Sequence, residues 1–265
     1  MTGYNYNSIK VEREGRILIA TLNRPENLNA FGGDLHHEAE EFFGEVAHDQ
    51  DVFAIIVTGA GRAFSAGGDV KGMKERADNP SSTITRSMLG PKRLIQNILE
   101  VPHPIITAVN GDAVGLGATV ALFGDIVVMN QDARIADTHV KVGIVAGDGG
   151  AVIWPYLVGV NKAKEFLMRG NFIKGAGAER IGLVNYAVPA DQVMPKAREL
   201  AEELANGAPW AIRWTKSSVN KILRERLNLI LDTSLAYEWL SFQTQDHREA
   251  ATAFVEKRRP SFQGR

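Results

Sequence analysis

The chain of 265 residues contains no cysteine, which excludes disulfide bonds, thiolate nucleophiles and cysteine-ligated zinc sites. Its net charge is only -1, so we expect no broad electrostatic attraction to nucleic acid or to an anionic membrane. No apolar run approaches the roughly 18 to 20 residues of a bilayer-spanning helix, and Met1–Glu14 lacks the apolar stretch of a secretory signal. These absences predict a cytoplasmic protein without membrane or nucleic-acid partners.

The hydrophobic content of 45% is sufficient to bury a large core. Apolar residues alternate between strand and helix periodicity in the first part of the chain, whereas the last part is helical. The pattern predicts an α/β core over residues 1–190 and a helical region over residues 191–265. The predicted strands are Ile9–Arg13, Arg16–Leu22, Phe53–Thr58, Ile105–Val109, Ile126–Met129, Ala133–Ala136 and Leu183–Val188. The predicted helices include Asp34–Val46, Ser87–Leu99, Gly149–Val158, Asn161–Met168, Ala190–Ala205, Pro209–Leu223, Leu227–Phe242 and Asp246–Lys257.

Two glycine-rich segments, Gly61–Lys71 and Val109–Ala118, each follow a predicted strand. Glycine permits close backbone approach, and an unpaired N–H at the start of a helix can donate to a developing oxyanion. Each segment alone is also typical of an ordinary turn. Two of them in one small α/β core favour a shared site.

His139 and Asp148 stand nine residues apart across a glycine-rich turn. A histidine with its ordinary pKa near 6.5 suits general-base catalysis at neutral pH, and an aspartate that accepts its ring N–H would fix the tautomer. The alternative interpretation is a structural hydrogen bond by His139 and a helix cap by Asp148. For Asp112 and Asp137, a turn aspartate is the simpler interpretation.

Four separated segments resemble the crotonase superfamily in order and spacing, namely Leu22–Ala30, Ala63–Lys71, Val109–Gly111 and Phe254–Pro260. This resemblance implies an α/β fold, a spiral of strand, strand, helix units followed by a C-terminal helical trimerisation region. It also implies a homotrimer or a dimer of trimers. The implied substrate is an acyl-CoA thioester, with coenzyme A as part of the substrate, no separate cofactor and no metal.

The same resemblance assigns site residues by position. The thioester oxygen would bind between the backbone N–H groups of Gly68 and Leu116, although the family usually has glycine at the second position. The resemblance also implies coenzyme A contacts, the last two usually from a neighbouring subunit, at Ala66, Lys71, Phe254 and Lys257.

The chain departs from the pattern at the catalytic positions. Enoyl-CoA hydratases of the superfamily use two glutamates to orient water, and the matching positions here are Thr119 and His139. Threonine does not act as a carboxylate base at neutral pH. The two-glutamate addition of water is therefore not expected in this chain.

The segment Gly143–Gly149, with the following Trp154-Pro155, resembles a smaller branch of the superfamily, the oxocamphor hydrolase type of β-diketone hydrolases. That branch uses a histidine and an aspartate at this spacing to direct water at a carbonyl and break a carbon–carbon bond. His36 and Glu238 fall roughly where it has further polar site residues.

Together these features predict an enoyl-CoA hydratase/isomerase-like enzyme of fatty acid or ring degradation, acting as a lyase, isomerase or hydrolase. His139, oriented by Asp148, is the expected base that activates water, with hydrolysis of a β-keto acyl-CoA as the favoured reaction. Two alternatives remain open. One is a conventional hydratase or isomerase that uses Asp112 or Glu238, and the other is a catalytically silent acyl-CoA-binding protein.

Overall fold

Two sheets organise the computed structural model, which describes residues 3–69 and 84–265. The larger sheet has six strands in the order β1-β2-β3-β5-β7-β10, and the smaller has four in the order β4-β6-β8-β9. The strands are β1 (Ile9–Glu14), β2 (Ile17–Leu22), β3 (Ala54–Gly59), β4 (Ala63–Ser65), β5 (Ile105–Val109), β6 (Asp112–Val114), β7 (Ile126–Asn130), β8 (Arg134–Ala136), β9 (Ile173–Lys174) and β10 (Tyr186–Val188).

The chain repeats one structural step three times. β3, β5 and β7 are parallel neighbours in the larger sheet, and each is followed at once by a short strand of the smaller sheet, β4, β6 or β8. β3 and β5 are buried along their whole length, as expected for parallel strands covered on both faces. The predicted α/β class is confirmed, and the short strands β4 and β6 add elements that the sequence did not predict.

The helices agree with the sequence pattern except at Gly175–Arg180, a short helix that was not predicted, and in the C-terminal region. They are α1 (Asp34–Val46), α2 (Ile84–Glu100), α3 (Leu116–Leu122), α4 (Gly150–Val158), α5 (Val160–Arg169), α6 (Gly175–Arg180), α7 (Val193–Asn206), α8 (Pro209–Phe242) and α9 (Gln245–Val255). The prediction of separate helices at Pro209–Leu223 and Leu227–Phe242 was wrong. The intervening Arg224–Arg226 consists of good helix formers without glycine or proline, so α8 continues through it.

The larger sheet has an apolar cluster on each face. The bigger cluster extends to α1, α2, α3 and α4 and includes Trp154, which is fully buried. On the other face α7 places Ala197 and Ala201 against the sheet, and these small side chains allow the helix to pack closely. No helix in residues 3–69 and 84–265 is both long and apolar enough to cross a membrane.

Candidate active site

The three parallel strands of the smaller sheet end at one edge, and the candidate residues follow those ends. β4, β6 and β8 pair side by side in parallel, so the segments that leave their carboxyl ends emerge together. Residues 66–69 follow β4, residues 115–116 follow β6, and residues 137–139 follow β8. The topology thus collects both glycine-rich segments and His139 at one place.

The N–H of Gly68 faces away from the neighbouring segment at Phe31. Phe31 N–H donates to Gly67 O at 2.6 Å, and Asp69 N–H donates to Phe31 O at 3.3 Å. Because these parallel-type bonds involve the residues on either side of Gly68, the N–H of Gly68 itself faces away from Phe31. Gly67 has a φ of +85°, and a Cβ there would lie 2.4 Å from Val114 O. Only glycine permits this close approach to the end of β6.

Leu116 is the first residue of α3, so its N–H has no acceptor within the helix. Its side chain is 6% exposed and packs in the larger apolar cluster, which makes leucine compatible with a main-chain donor at this position. A Cβ on the preceding Gly115 would lie 3.6 Å from His139 Cε1 and 3.9 Å from Gly67 Cα. The segments that carry the two candidate oxyanion donors therefore lie close to each other and to the imidazole.

Ser65 supports the first donor, a role that the sequence did not suggest. Its hydroxyl donates to Asn29 O at 2.7 Å and accepts from Gly67 N–H at 3.2 Å. Its side chain also contacts Gly117, where a Cβ would lie 2.6 Å from that of Ser65. Ser65 thereby links the loop that carries Gly68 to the helix that begins at Leu116.

His139 lies between two carboxylates. Its Nδ1 is 2.6 Å from Asp137 Oδ1, and its Nε2 is 3.1 Å from Asp148 Oδ2. All three side chains are buried. The predicted contact between His139 and Asp148 is present, whereas the interpretation of Asp137 as a turn residue missed its contact with the ring.

The two carboxylates determine the charge of the imidazole. Burial lowers the pKa of His139, but the negative charges of Asp137 and Asp148 and their hydrogen bonds raise it well above its ordinary value. This shift favours the imidazolium, which donates one N–H group to each carboxylate. A cation without a free ring nitrogen is a poor proton acceptor, so the geometry favours Asp148 over His139 as the base.

Asp148 is oriented by a second donor. Thr119 Oγ1 donates to Asp148 Oδ1 at 3.2 Å, and Thr119 is fully buried. Gly149, with a φ of +121°, lets this loop approach α3, since a Cβ there would lie 2.7 Å from Thr119 Cγ2. Gly149, not Asp148, is the N-cap of α4, and no side chain among the described residues caps that helix. The interpretation of Asp148 as a helix cap is therefore wrong.

Glu238 reaches the site from α8. Ser234 Oγ donates to Gly147 O at 2.8 Å, and Val145 N–H donates to Ser241 Oγ at 3.1 Å, which fixes the loop before Asp148 on this helix. Glu238 Oε2 is enclosed, and no described residue forms a hydrogen bond to it. Burial, followed by the charge of Asp148, raises the pKa of Glu238 to about 8.

The triad of Asp137, His139 and Asp148 consists of residue types that also bind metals, and one donor atom from each lies within 4.8 Å of the others. The two carboxylates contact different ring nitrogens on opposite edges of the imidazole. A single ion cannot replace both contacts, because it binds only one of the two nitrogens. The geometry favours charge pairing over metal chelation.

The remaining predicted residues are less closely connected to this centre. Burial has the largest effect on the pKa of His36 and lowers it, whereas the negative charge of nearby Asp148 acts in the opposite direction. Asp112 is engaged in a two-point contact with Arg134 at 2.6 and 3.0 Å, which disfavours it as an acid or base.

The predicted coenzyme A contacts lie around the site and beyond it. Ala66 precedes the first oxyanion donor and gives its N–H to Leu28 O at 2.9 Å. Lys71 lies outside the described residues. Phe254 and Lys257 are exposed at the end of α9, and within the described part of the chain no hydrogen bond or ion pair joins them to His139 or Asp148.

Replacement of Gly67 by alanine is expected to impair both stability and activity, because it adds a clash with Val114 O to an unfavourable positive φ. Gly15→Ala is the matched control, since Gly15 has a φ of +59° with no atom within 4 Å of a Cβ. The control should lose only about 1 kcal/mol of unfolding free energy. Urea denaturation and thioester turnover measure the two effects, and equal behaviour of the variants would show that the close approach is unimportant.

One protein family matches most of the chain. Residues 12–265 match the enoyl-CoA hydratase/isomerase family. The chain belongs to this family. The match confirms the predicted superfamily, and it includes every predicted site residue from Ala66 to Lys257.

Individual relatives extend over nearly the full length. A short-chain-enoyl-CoA hydratase of Clostridium acetobutylicum is 36% identical over 258 residues, with 96% of each chain covered. A 1,2-epoxyphenylacetyl-CoA isomerase of Escherichia coli is 31% identical, with 95% of this chain and 97% of the relative covered. The crystal structure of an enoyl-CoA hydratase/isomerase from Mycobacterium paratuberculosis matches with a TM-score of 0.88 and 34% identity, covering 92% of this chain and 97% of that one. The family and its α/β fold with a C-terminal helical region are established, and the narrower resemblance to β-diketone hydrolases stays a prediction.

Proposed function

We propose that this protein hydrolyses a carbon–carbon bond of a β-keto acyl-CoA, with Asp148 as the base that activates water. One observation carries the proposal. Thr119 and His139, which the sequence resemblance matches to the hydratase glutamates, both contact Asp148, at 3.2 and 3.1 Å. In a two-glutamate hydratase these positions would each supply a carboxylate. In this chain both side chains orient the single carboxylate of Asp148, which can accept the proton of one water.

The acyl-CoA substrate class is supported by the family and by the names of the relatives, which act on CoA thioesters. In the proposal the N–H groups of Gly68 and Leu116 bind the thioester oxygen. Lys71, Phe254 and Lys257 contact the nucleotide of coenzyme A, because ammonium groups suit phosphate and an aromatic ring suits adenine. Ala66 lies beside the thioester end of the same ligand.

The reaction begins when Asp148 takes a proton from water as the water oxygen bonds to the ketone carbon. The carbonyl electrons move to the ketone oxygen and form an alkoxide. As that carbonyl re-forms, the bond to the α-carbon breaks, and its electron pair forms a thioester enolate held by Gly68 and Leu116. Glu238 protonates the α-carbon and regains a proton from Asp148. The products are a carboxylic acid and a thioester, joined in one molecule if the ketone belongs to a ring.

The pH dependence should report the proton of Glu238. A carboxyl whose pKa is about 8 is mainly protonated below that pH and ionised above it, so the proposed proton donor is lost as the pH rises. We expect kcat to fall about tenfold per pH unit above pH 8. Glu238→Gln should turn over slowly at every pH and lack this limb. A wild-type profile that stays flat to pH 10 would remove Glu238 as the donor.

The same raised pKa has a consequence for stability. Since the folded-state pKa exceeds the ordinary value of 4.5, this carboxyl favours the unfolded state increasingly as the pH rises from about 4.5 to 8. The Glu238→Gln variant should therefore gain stability relative to the wild type over that range, which thermal melts at pH 5 and pH 8 can measure.

A double-bond isomerase or hydratase is the second candidate. It is favoured by the carboxylate of Asp148, which suffices to move a proton along an acyl chain, and by the isomerase among the relatives. Incubation with a cyclic β-keto acyl-CoA or with crotonyl-CoA in heavy-oxygen water separates the candidates. Hydrolysis places the label in a carboxylate, and hydration places it in a hydroxyl. Tight thioester binding without turnover of either compound would indicate a silent binding protein.

We also propose that the chain acts in the cytoplasm as a homotrimer or a dimer of trimers. Its C-terminal helices expose large apolar side chains that a subunit contact would cover, among them Leu229, Leu240 and Phe254 at 67%, 60% and 53% exposure. Light scattering coupled to size-exclusion chromatography tests the assembly, and a monomer at micromolar concentration would contradict it.

A further inference from the structure

We infer that Asp137 is a positioning residue that holds His139 as a donor to Asp148 and so makes the carboxylate, rather than the imidazole, the proton acceptor. The inference deepens the proposed function and rests on it for the substrate. Its structural basis is independent of the substrate, because it concerns only how the ring is held in the free protein.

Asp137 fixes both the backbone and the ring of His139. One carboxylate oxygen, Oδ1, accepts the backbone N–H of His139 at 3.2 Å and contacts Nδ1 of the ring at 2.6 Å. Asp137 is only 1% exposed. Two bonds from one residue to one oxygen determine the rotation of the ring about its side-chain bonds, and burial removes competition from water.

The other oxygen of Asp137 is enclosed at the start of α4. A Cβ on Gly150, the first residue of that helix, would lie 2.1 Å from Asp137 Oδ2. No hydrogen bond to this oxygen from a described residue is present, and it lies beside the N-terminus of the helix, where a negative charge is favourable. The carboxylate is thereby held from two sides, and glycine at position 150 makes room for it.

This arrangement decides how many protons the ring carries. A neutral imidazole has one N–H, which the 2.6 Å contact assigns to Nδ1, and its bare Nε2 would then face Asp148 Oδ2 at 3.1 Å, lone pair against lone pair. A second proton on Nε2 turns that repulsion into a charge-assisted hydrogen bond. The ionisable groups that surround the ring are Asp137 after β8, Asp148 before α4 and Glu238 on α8.

Removal of the charge at position 137 should therefore exchange the two roles. In Asp137→Asn the side-chain oxygen still accepts from Nδ1, but only one negative charge remains in direct contact with the ring. His139 then becomes an ordinary histidine paired with one aspartate, and its neutral form is able to act as the base. A residue that merely filled space would leave the protonation of the ring unchanged.

The test is the titration of the His139 ring by NMR of protein labelled with nitrogen-15 in histidine, with the signal assigned by its loss in His139→Gln. In the wild type we expect both ring nitrogens to stay protonated at pH 7, because the two aspartates raise the pKa of the ring well above its ordinary value. In Asp137→Asn the midpoint should fall by at least about one pH unit. The matched control, Asp112→Asn, removes an aspartate that binds Arg134 and should leave the midpoint unchanged.

Two results would overturn the inference. One is a wild-type ring that loses a proton below pH 7, which needs no variant and so decides the question even if Asp137→Asn does not fold. The other is a folded Asp137→Asn protein whose ring titrates like the wild type. Neither measurement uses substrate, so a failure to find hydrolysis in heavy-oxygen water would remove the proposed function without affecting this result.

Turnover gives a second readout when a substrate is available. Asp137→Asn should lower kcat by about 10- to 100-fold, by analogy with the loss of a carboxylate that orients a metal-bound histidine, while KM stays within about threefold. The variant should also gain an acidic limb in its pH profile, because the newly active base must be neutral. If kcat/KM fell by the same factor through a higher KM, with kcat unchanged, Asp137 would have only a structural role.

Discussion

Asp148→Asn is expected to lower kcat for a β-keto acyl-CoA by about 10³-fold, within the range that general-base catalysis contributes. The amide keeps the shape of the side chain: its oxygen can accept from His139, and its NH2 group can donate to the hydroxyl of Thr119, in place of the carboxylate contacts at 3.1 and 3.2 Å. It does not accept a proton from water. Because the oxyanion donors are main-chain groups, binding of a CoA thioester should change by only a few fold.

The control for this substitution is Asp112→Asn, which removes a carboxylate from the half-exposed pair with Arg134. Because an exposed ion pair contributes about 1 kcal/mol or less to stability, this variant should be nearly as stable as the wild type. Its kcat should therefore equal that of the wild type. Steady-state kinetics of both variants give the comparison. If Asp148→Asn turned over the thioester at the wild-type rate, Asp148 would have no role as a base.

His139→Ala is expected to abolish turnover and to destabilise the fold by about 3 to 5 kcal/mol, the usual result of removing one partner from a buried charge cluster. Asp137 and Asp148, which are 1% and 4% exposed, would then face each other without the cation between them. Urea denaturation at neutral pH measures the loss. Calorimetric titration with a non-reacting CoA thioester should show affinity within a few fold of the wild type.

His37→Ala provides the matched control on the surface. His37 contacts Glu41 at 3.1 Å, and its side chain is 71% exposed, so its loss should change stability by less than about 0.5 kcal/mol. A His139→Ala protein that was as stable as this control would show that the two aspartates do not depend on a charged imidazole. Retained turnover would remove His139 from the mechanism.

Most of the fold could be predicted because apolar periodicity is strong where elements are long. The helix Asp34–Val46 and the strand Ile105–Val109 have the predicted bounds. β4 and β6 were missed because each has only three residues, too few for an alternating pattern. The continuity of α8 was missed because a weaker apolar periodicity near Arg224 was interpreted as a break.

The site could be predicted in part. The pair His139 and Asp148 was found from residue type, spacing and family resemblance, and the structure brings the two into contact. Thr119 lies 29 residues from Asp148, and no local sequence pattern predicts a hydrogen bond between residues so far apart. Asp137 was passed over because an aspartate two residues before a short helical turn is common in ordinary turns. The sequence feature that could have indicated its role is the spacing in Asp137-Thr138-His139, an aspartate two residues before the histidine.

The most direct test of the central claim compares two substrates on the wild-type enzyme. The account predicts that kcat/KM for a cyclic β-keto acyl-CoA exceeds that for crotonyl-CoA by at least about 100-fold, because Thr119 and His139 both orient the carboxylate of Asp148, the base of the proposed hydrolysis. A ratio that favoured crotonyl-CoA, with 3-hydroxybutyryl-CoA as the product, would contradict it.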